Sequence, residues 1–315
     1  MATSFSPSGS VTVTTAANFI PEIWSDEIVA AYKKNLVMAN LVMKMNFKGK
    51  KGDTVHIPAP TRGSASAKAA ETAVTLIAAT EAEVQVSINK HYEYSRLIED
   101  IVEAQALNSM RQFYTSDAGY ALARQVDTDL IQLGRSANGG AGTAAYANAY
   151  IGGDGTTAYV AASNNESALT DAAIRRTIQR LDDNDTPMDQ RFFLIPPSSR
   201  NTLMGLARYT EQAFVGTGDA IRTGEIGNLY GIPVFVSSNA DTTSGSGAAR
   251  VCIMGHRDSM VLVEQVAVRS QIQYKQEYLA TLFTSDTLYG VAALRSAATV
   301  GAAKSSAYFV LAVPA

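Results

Sequence analysis

Three histidines and a single cysteine narrow the chemistry open to this chain. His256 stands in the run Gly255-His256-Arg257-Asp258-Ser259, which holds the residue types of a serine hydrolase in close succession. The members of such a triad converge from separate segments, and immediate neighbours rarely do. No G-x-S-x-G elbow accompanies the run. A turn between two strands is therefore the stronger reading, with a hydrolase using His256 and Ser259 as the weaker one. The acidic run Asp182-Asp183-Asn184-Asp185, followed by Asp189, offers oxygen ligands. It lacks the central glycine and the distal glutamate of a calcium loop. It reads as a solvated loop at a helix end. No His or Cys spacing suits zinc. Gly139-Gly140-Ala141-Gly142 and Gly216-Thr217-Gly218-Asp219 lack the Lys-Ser/Thr ending of a phosphate loop. Cys252, inside Val251-Cys252-Ile253-Met254, reads as a small buried hydrophobe, and a lone cysteine points to a reducing compartment. Neither a cofactor nor a metal is expected.

Positive charge gathers in one place instead. Lys48, Lys50, Lys51, Arg62 and Lys68 lie within one segment of a chain whose net charge is only -3. That balance excludes the concentrated basic footprint of sequence-specific nucleic-acid readers. The cluster fits either a solvated hairpin or electrostatic docking onto an acidic neighbour. Charged residues make up 17% of the chain, against a usual level of about 25%. The N-terminal stretch lacks the basic and apolar regions of a signal peptide, and no run approaches the roughly 20 apolar residues of a membrane span. A soluble, intracellular protein is expected.

The elements that carry these residues follow from periodicity. Residues 1–17, rich in Ser and Thr, predict an extended or disordered arm. Phe19, Ile20, Ile23, Trp24, Ile28, Val29 and Tyr32 recur at helical spacing, with Pro21 suited to the first turn. Thr54 to Pro58 and the alternating Val84, Val86 and Ile88 predict two strands. Between them, Arg62-Gly63-Ser64-Ala65-Ser66-Ala67-Lys68 offers no core-forming residue. Such a ribbon is marginal in water by itself. Over residues 95–134, Ile98, Ile101, Val102, Met110, Phe113, Leu122, Val126, Leu130 and Leu133 mark one helical face. A helix of that length reaches about 50–60 Å, with Gly134 as its stop and Ser116 or Gly119 as a bend. Residues 136–164 read as a linker. A compact α/β block follows at about 169–255, with a helix through Leu169, Ile174 and Leu181, a strand at Phe192 to Ile195, a short helix capped by Ser198 or Ser199, and strands at Ile232 to Val236 and Val251 to Met254. The remainder is mostly strand. The fold class is α+β.

These parts, in this order, resemble the major capsid proteins of tailed phages, which have the Hong Kong 97-like fold. The resemblance covers nearly the whole chain. It is carried by Asn18-Phe19-Ile20-Pro21-Glu22-Ile23-Trp24-Ser25-Asp26-Glu27-Ile28, by Gln125-Val126-Asp127-Thr128-Asp129-Leu130, and above all by Gly224-Glu225-Ile226-Gly227-Asn228-Leu229-Tyr230-Gly231-Ile232-Pro233-Val234-Phe235-Val236-Ser237-Ser238-Asn239. It implies an N-terminal arm over 1–45 and an extended β-hairpin loop over 46–94. It further implies a peripheral domain from 95–165 and 256–315, with a spine helix at 95–134, and an axial domain at 166–255. Hexamers and pentamers would close into an icosahedral shell around double-stranded DNA, contacted without sequence specificity. Phe19 and Trp24 of the arm, and Lys50, Lys51, Arg62, Lys68 and Glu71 of the loop, are the expected contacts between subunits, although Trp24 also suits a core anchor. The short N-terminal arm implies a separate scaffolding protein, beside a portal and possible decoration protein. No crosslink through Lys68 is expected. The virion capsid, assembled in the host bacterial cytoplasm, would be the location. An encapsulin-like cellular compartment is the alternative with the same fold, and a surface-layer protein or adhesin the alternative of another class.

Overall fold

Phe192-Phe193-Leu194-Ile195 has no polar residue to turn toward water, so a strand there needs cover on both faces. In the computed structural model it has that cover. The described residues are 36–49, 51–60, 65–74, 76, 81–100, 109–137, 149–160, 163, 165–206, 227–240, 249–295 and 306–314. Strand β6 (Arg191–Ile195) is buried along its whole length. It pairs in parallel with β8 (Ile232–Val236) and antiparallel with β9 (Arg250–His256). With β5 (Tyr150–Ile151), β7 (Asn228–Leu229) and β12 (Tyr308–Val313) they form a six-stranded sheet in the order β5-β12-β9-β6-β8-β7.

Side chains alternate across this sheet with period two. Phe193, Ile195, Cys252, Met254, Phe309 and Leu311 share one core with Leu169, Ile174, Leu181 and Leu203. Those last residues come from α3 (Asp171–Asp183), its approach, and α4 (Pro197–Met204). Phe192, Leu194, Val251, Ile253, Tyr308 and Val310 face the other way, onto Leu130 and Ile131 of α2 (Ser109–Ala137). The Thr170 hydroxyl caps α3 by accepting the Ala173 N–H at 3.3 Å. Helix α4 starts differently from expectation. Pro197 occupies its first turn, where the missing N–H costs nothing, and neither Ser198 nor Ser199 is its cap. Ser199 is buried inside the helix with its hydroxyl 3.4 Å from the Cys252 sulfur, and burial pushes that thiol up to about 12.

A second sheet has the order β1-β10-β11-β4, from β1 (Met43–Asn46), β4 (Lys90–Glu99), β10 (Met260–Lys275) and β11 (Ala280–Ala293). Met260, Leu262, Tyr289 and Ala293 join the core under α2. Val261 and Val263 face the opposite way and pack on Val55, Val86 and Ile88. These last residues root a two-stranded ribbon of β2 (Thr54–Pro60) and β3 (Glu81–Ser87). Ahead of β1, α1 (Met38–Leu41) is a single turn packed on α2.

Three sequence expectations change. The spine helix does not begin at residue 95: Ser95 to Glu99 pair with Thr284 to Ala280 as the end of β4. Apolar residues at Ile98, Ile101 and Val102 suit either period, and the pairing with β11 decides. The helix runs unbroken from Ser109 to Ala137, through Ser116, Gly119 and Gly134, a length of about 43 Å. The linker contains β5. The strand at Tyr308 to Val313, expected with the peripheral part, instead pairs with β9 near the middle of the six-stranded sheet.

Candidate assembly surface

The β2–β3 ribbon is well held at one end only. Its register runs from Thr54 opposite Ser87 to Pro60 opposite Glu81. At the root, the Ile88 N–H donates to the Asp53 carbonyl at 2.7 Å, and the Gln265 side-chain amide donates to the Gly52 carbonyl at 3.0 Å. His56 lies 3.0 Å from Glu83 on the exposed surface. Gln85 and His56 together hold the Glu83 carboxyl below its usual range. Beyond Pro60 the cover ends. Every described residue from 65 to 74 is exposed, as is Leu76. Val74 is 71% exposed and Leu76 90%. Lys68 and Glu71 stand on this exposed stretch, with Glu71 in the left-handed region at φ 61, while Lys51 is exposed at the root. Phe19, Trp24, Lys50 and Arg62 lie outside the described residues.

Two buried carboxylates on α2 tie the N-terminal approach and the two sheets to the long helix. Asp127 is fully buried. Its Oδ1 accepts the N–H groups of Val37 at 3.1 Å and Met38 at 2.9 Å, and its Oδ2 accepts the Asn239 amide at 2.9 Å. Burial lifts its pKa above the usual range, against the pull of these hydrogen bonds. One side chain thus joins the N-terminal approach, the long helix and the loop after β8. Asp129 accepts from the Tyr289 hydroxyl at 2.7 Å and lies 3.1 Å from the Lys90 ammonium. It ties the helix to β11 and β4. Burial, then the hydrogen bond to Asp129, drives the Tyr289 phenol well above its ordinary pKa. Sequence reasoning passed over both aspartates as functional residues. The usable signal was two acids flanked by Val126, Leu130 and Ile131, far from the helix N-terminus.

The hydrolase reading fails on geometry. The His256 Nδ1 accepts the backbone N–H of Asp258 at 3.1 Å, so that nitrogen carries no proton for the Asp258 carboxylate, 3.9 Å away. The Ser259 hydroxyl is buried with no hydrogen-bond partner among the described residues. The run is a turn between β9 and β10. Asp182 of the acidic run is engaged by Arg191, whose Nη2 donates to it at 2.6 Å and to the Thr186 carbonyl at 2.6 Å. Among the described residues no three His, Cys, Asp or Glu side chains gather as a metal site, and no helix is long and apolar enough to cross a membrane.

A family described as "Phage capsid protein" matches residues 36–303. The chain belongs to the phage capsid protein family. The fold is the Hong Kong 97-like one. A structure from Mycobacterium phage Che8 is 22% identical, with a TM-score of 0.73 over 93% of this chain and 97% of that one. The capsid of cyanophage P-SCSP1u is 20% identical, with a TM-score of 0.72 over 93% and 96%. The capsid of a native GTA particle is 11% identical, with a TM-score of 0.66 over 98% and 99%. No curated protein matches the chain. As a major capsid protein it builds the icosahedral shell of a virion, and the reading as a cellular compartment is not favoured.

The capsid protein's sheet of β4, β10 and β11 continues well past its core as a ribbon. Arg269 of β10 grips Asp286 of β11 through Nε at 2.7 Å and Nη2 at 2.8 Å, and His91 of β4 lies 3.2 Å from the same carboxylate. The Arg269 hydrogen bond, with help from His91, lowers the Asp286 carboxyl to about 2. A depressed carboxyl contributes stability that is complete above its unfolded value near 3.8 and is lost as pH falls through the folded value. Amide exchange in residues 269–273 and 282–286 is therefore expected to accelerate between pH 4 and pH 2, faster than in the six-stranded sheet. Asp286→Asn should already exchange fast at neutral pH and lose that acid step. An unchanged profile in the variant would disprove the role.

Proposed function

We propose that this capsid protein forms hexamers and pentamers that close around packaged double-stranded DNA, and that it acts purely as a structural subunit without catalysis. The six-stranded sheet with α3 and α4 forms the part near the capsomer axis, built on roughly 166–255 and joined by β5 and β12 from outside that range. The β4-β10-β11 sheet with α2 forms the periphery, drawn from 95–165 and 256–315. Lys51, Lys68 and Glu71 of the arm, together with Phe19, Trp24, Lys50 and Arg62, make contacts between subunits. A separate scaffolding protein guides closure, a portal occupies one vertex, a decoration protein is a further candidate partner, and assembly takes place in the host cytoplasm.

The observation that carries this reading is the arm. A monomer gains nothing from a ribbon whose root is packed and whose far end, among the described residues, buries no side chain. The exposed segment acquires its stability from a neighbour, and that stability exists only in the assembly. Replacing residues 65–74 by a tight turn separates the two states. Denaturation of the unassembled subunit should change by no more than about 0.5 kcal/mol, as for surface changes away from a core. Particles co-expressed with the scaffolding protein should disappear from negative-stain images. Regular particles from the shortened chain would sink the reading.

A further inference from the structure

Among the described residues the outer edge of β10 is largely unguarded. Strand β1 covers it only from Val261 to Glu264, and beyond that no described strand pairs with it. Residues 268–274 are exposed throughout. Long exposed edges invite pairing with another chain, and proteins usually blunt them with charge, proline or bulges. The bulges of β10 lie between Glu264 and Arg269, leaving a regular stretch after them. Its charge at Arg269 is already held within the sheet by Asp286. The other edge of this sheet, along β4, carries Lys90, Glu93, Arg96 and Glu99. One edge is thus guarded and the other is not.

We infer that the β10 edge pairs antiparallel with the same edge of a second copy, across a two-fold axis through Gln271. The inference rests on the shell-building reading and adds a specific contact to it. A two-fold relation sets one residue opposite itself and its neighbours symmetrically about it. Centring on Arg269 opposes two guanidinium groups, and centring on Ile272 opposes Arg269 to Lys275. Centring on Ser270 carries the pairing through the whole second bulge to Val266, whereas centring on Gln271 reaches only Val268 at its end. Centring on Gln271 sets Arg269 against Gln273, Ser270 against Ile272 and Val268 against Tyr274. The last pair is aromatic against β-branched, the favoured kind of cross-strand neighbour, and it occurs twice. Val268, Ile272 and Tyr274 are 52%, 62% and 47% exposed in the single chain. Val268 lines a recess with Leu122 and Val126 of α2, and Ile272 one with Tyr114, so both face the helix side of the sheet. Pairing brings the two copies of this apolar strip together.

Cysteine substitution tests the register. Directly opposed residues have Cα atoms about 4.5–5.5 Å apart, inside the reach of a disulfide. Particles assembled from Gln271→Cys and oxidised should give a dimer band on a non-reducing denaturing gel. Particles from Gln273→Cys should not, since that residue lies four positions out of step with its copy, about 13 Å along the strand. Cys252 is buried and should stay silent. If Q271C does not assemble, the double variant S270C/I272C reads the same register, because those residues oppose each other between copies. Well-formed particles with only monomer bands, or equal dimer from Q271C and Q273C, would overturn the inference and leave the shell reading standing. Absence of particles from the unsubstituted chain with its scaffolding protein would instead remove the shell reading itself.

Discussion

Asp127→Ala is expected to destabilise the unassembled subunit by about 3–5 kcal/mol and to abolish regular particles. The substitution leaves the N–H groups of Val37 and Met38 and the Asn239 amide without their shared acceptor. An unsatisfied buried donor costs about 1–3 kcal/mol, and three at one buried point place the loss in the upper range for single substitutions. Asn239 keeps one further partner, the Thr128 hydroxyl at 3.1 Å, which limits its share. Asp127→Asn is expected to be milder, at about 1–2 kcal/mol, since its carbonyl can still accept from Val37 and Met38 while the Asn239 amide turns to accept. Urea denaturation of both variants checks the order. A loss below about 1 kcal/mol for the alanine variant would show that the three segments are held by packing and not by this carboxylate. The pH dependence runs opposite to that of Asp286. Because burial raises the pKa of Asp127 in the folded protein, the native state takes up a proton there more readily than the unfolded chain, and acid does not weaken this junction by linkage.

Gly290→Val is expected to remove particles while leaving the six-stranded sheet folded. A Cβ at Gly290 would sit 2.5 Å from the Ser87 carbonyl oxygen and 3.2 Å from the Ile88 Cα. Both are backbone atoms at the root of the arm, so no side chain can swing aside and the arm itself has to shift. Overpacking of this kind costs about 1–3 kcal/mol. A small rotation at the root carries the tip, with Lys68 and Glu71, through a much larger displacement. Gly119→Ala serves as the control. It lies in the middle of α2 with nothing within 4 Å of the new methyl group, and should stabilise the helix by about 0.5–1 kcal/mol. Near-ultraviolet circular dichroism and particle yield, measured together, separate loss of the arm's position from loss of the fold. Full particle yield from Gly290→Val would show that the root tolerates movement.

Local patterns were legible wherever one physical cause acted alone. The unbroken apolar run of Phe192 to Ile195 could only be a strand covered twice, and it is. The stripe of Leu169, Ile174 and Leu181 fixed one face of a helix. The bare stretch after Pro60 was visible because nothing in it could anchor a core. Legibility ended where partners distant in sequence decide. Ser95 to Glu99 fit a helix by composition but are strand because β11 pairs with them. Tyr308 to Val313 read as a strand without indicating which sheet it enters. The roles of Asp127 and Asp129 depend on Val37, Asn239 and Tyr289, whose convergence no spacing reveals. Of the seven expected contact residues, Lys51, Lys68 and Glu71 are exposed in the single chain, and the other four fall outside the described residues.

The position of β12 has a consequence for timing during synthesis. Strand β9 leaves the ribosome before β12, so one of its edges waits for residues 308–313 to arrive. At about 5–20 residues per second, that delay lasts several seconds. Through this interval Val251 and Ile253 lack the cover of Tyr308 and Val310, so the nascent subunit has an incomplete sheet. A chain interrupted before Tyr308 cannot complete its sheet.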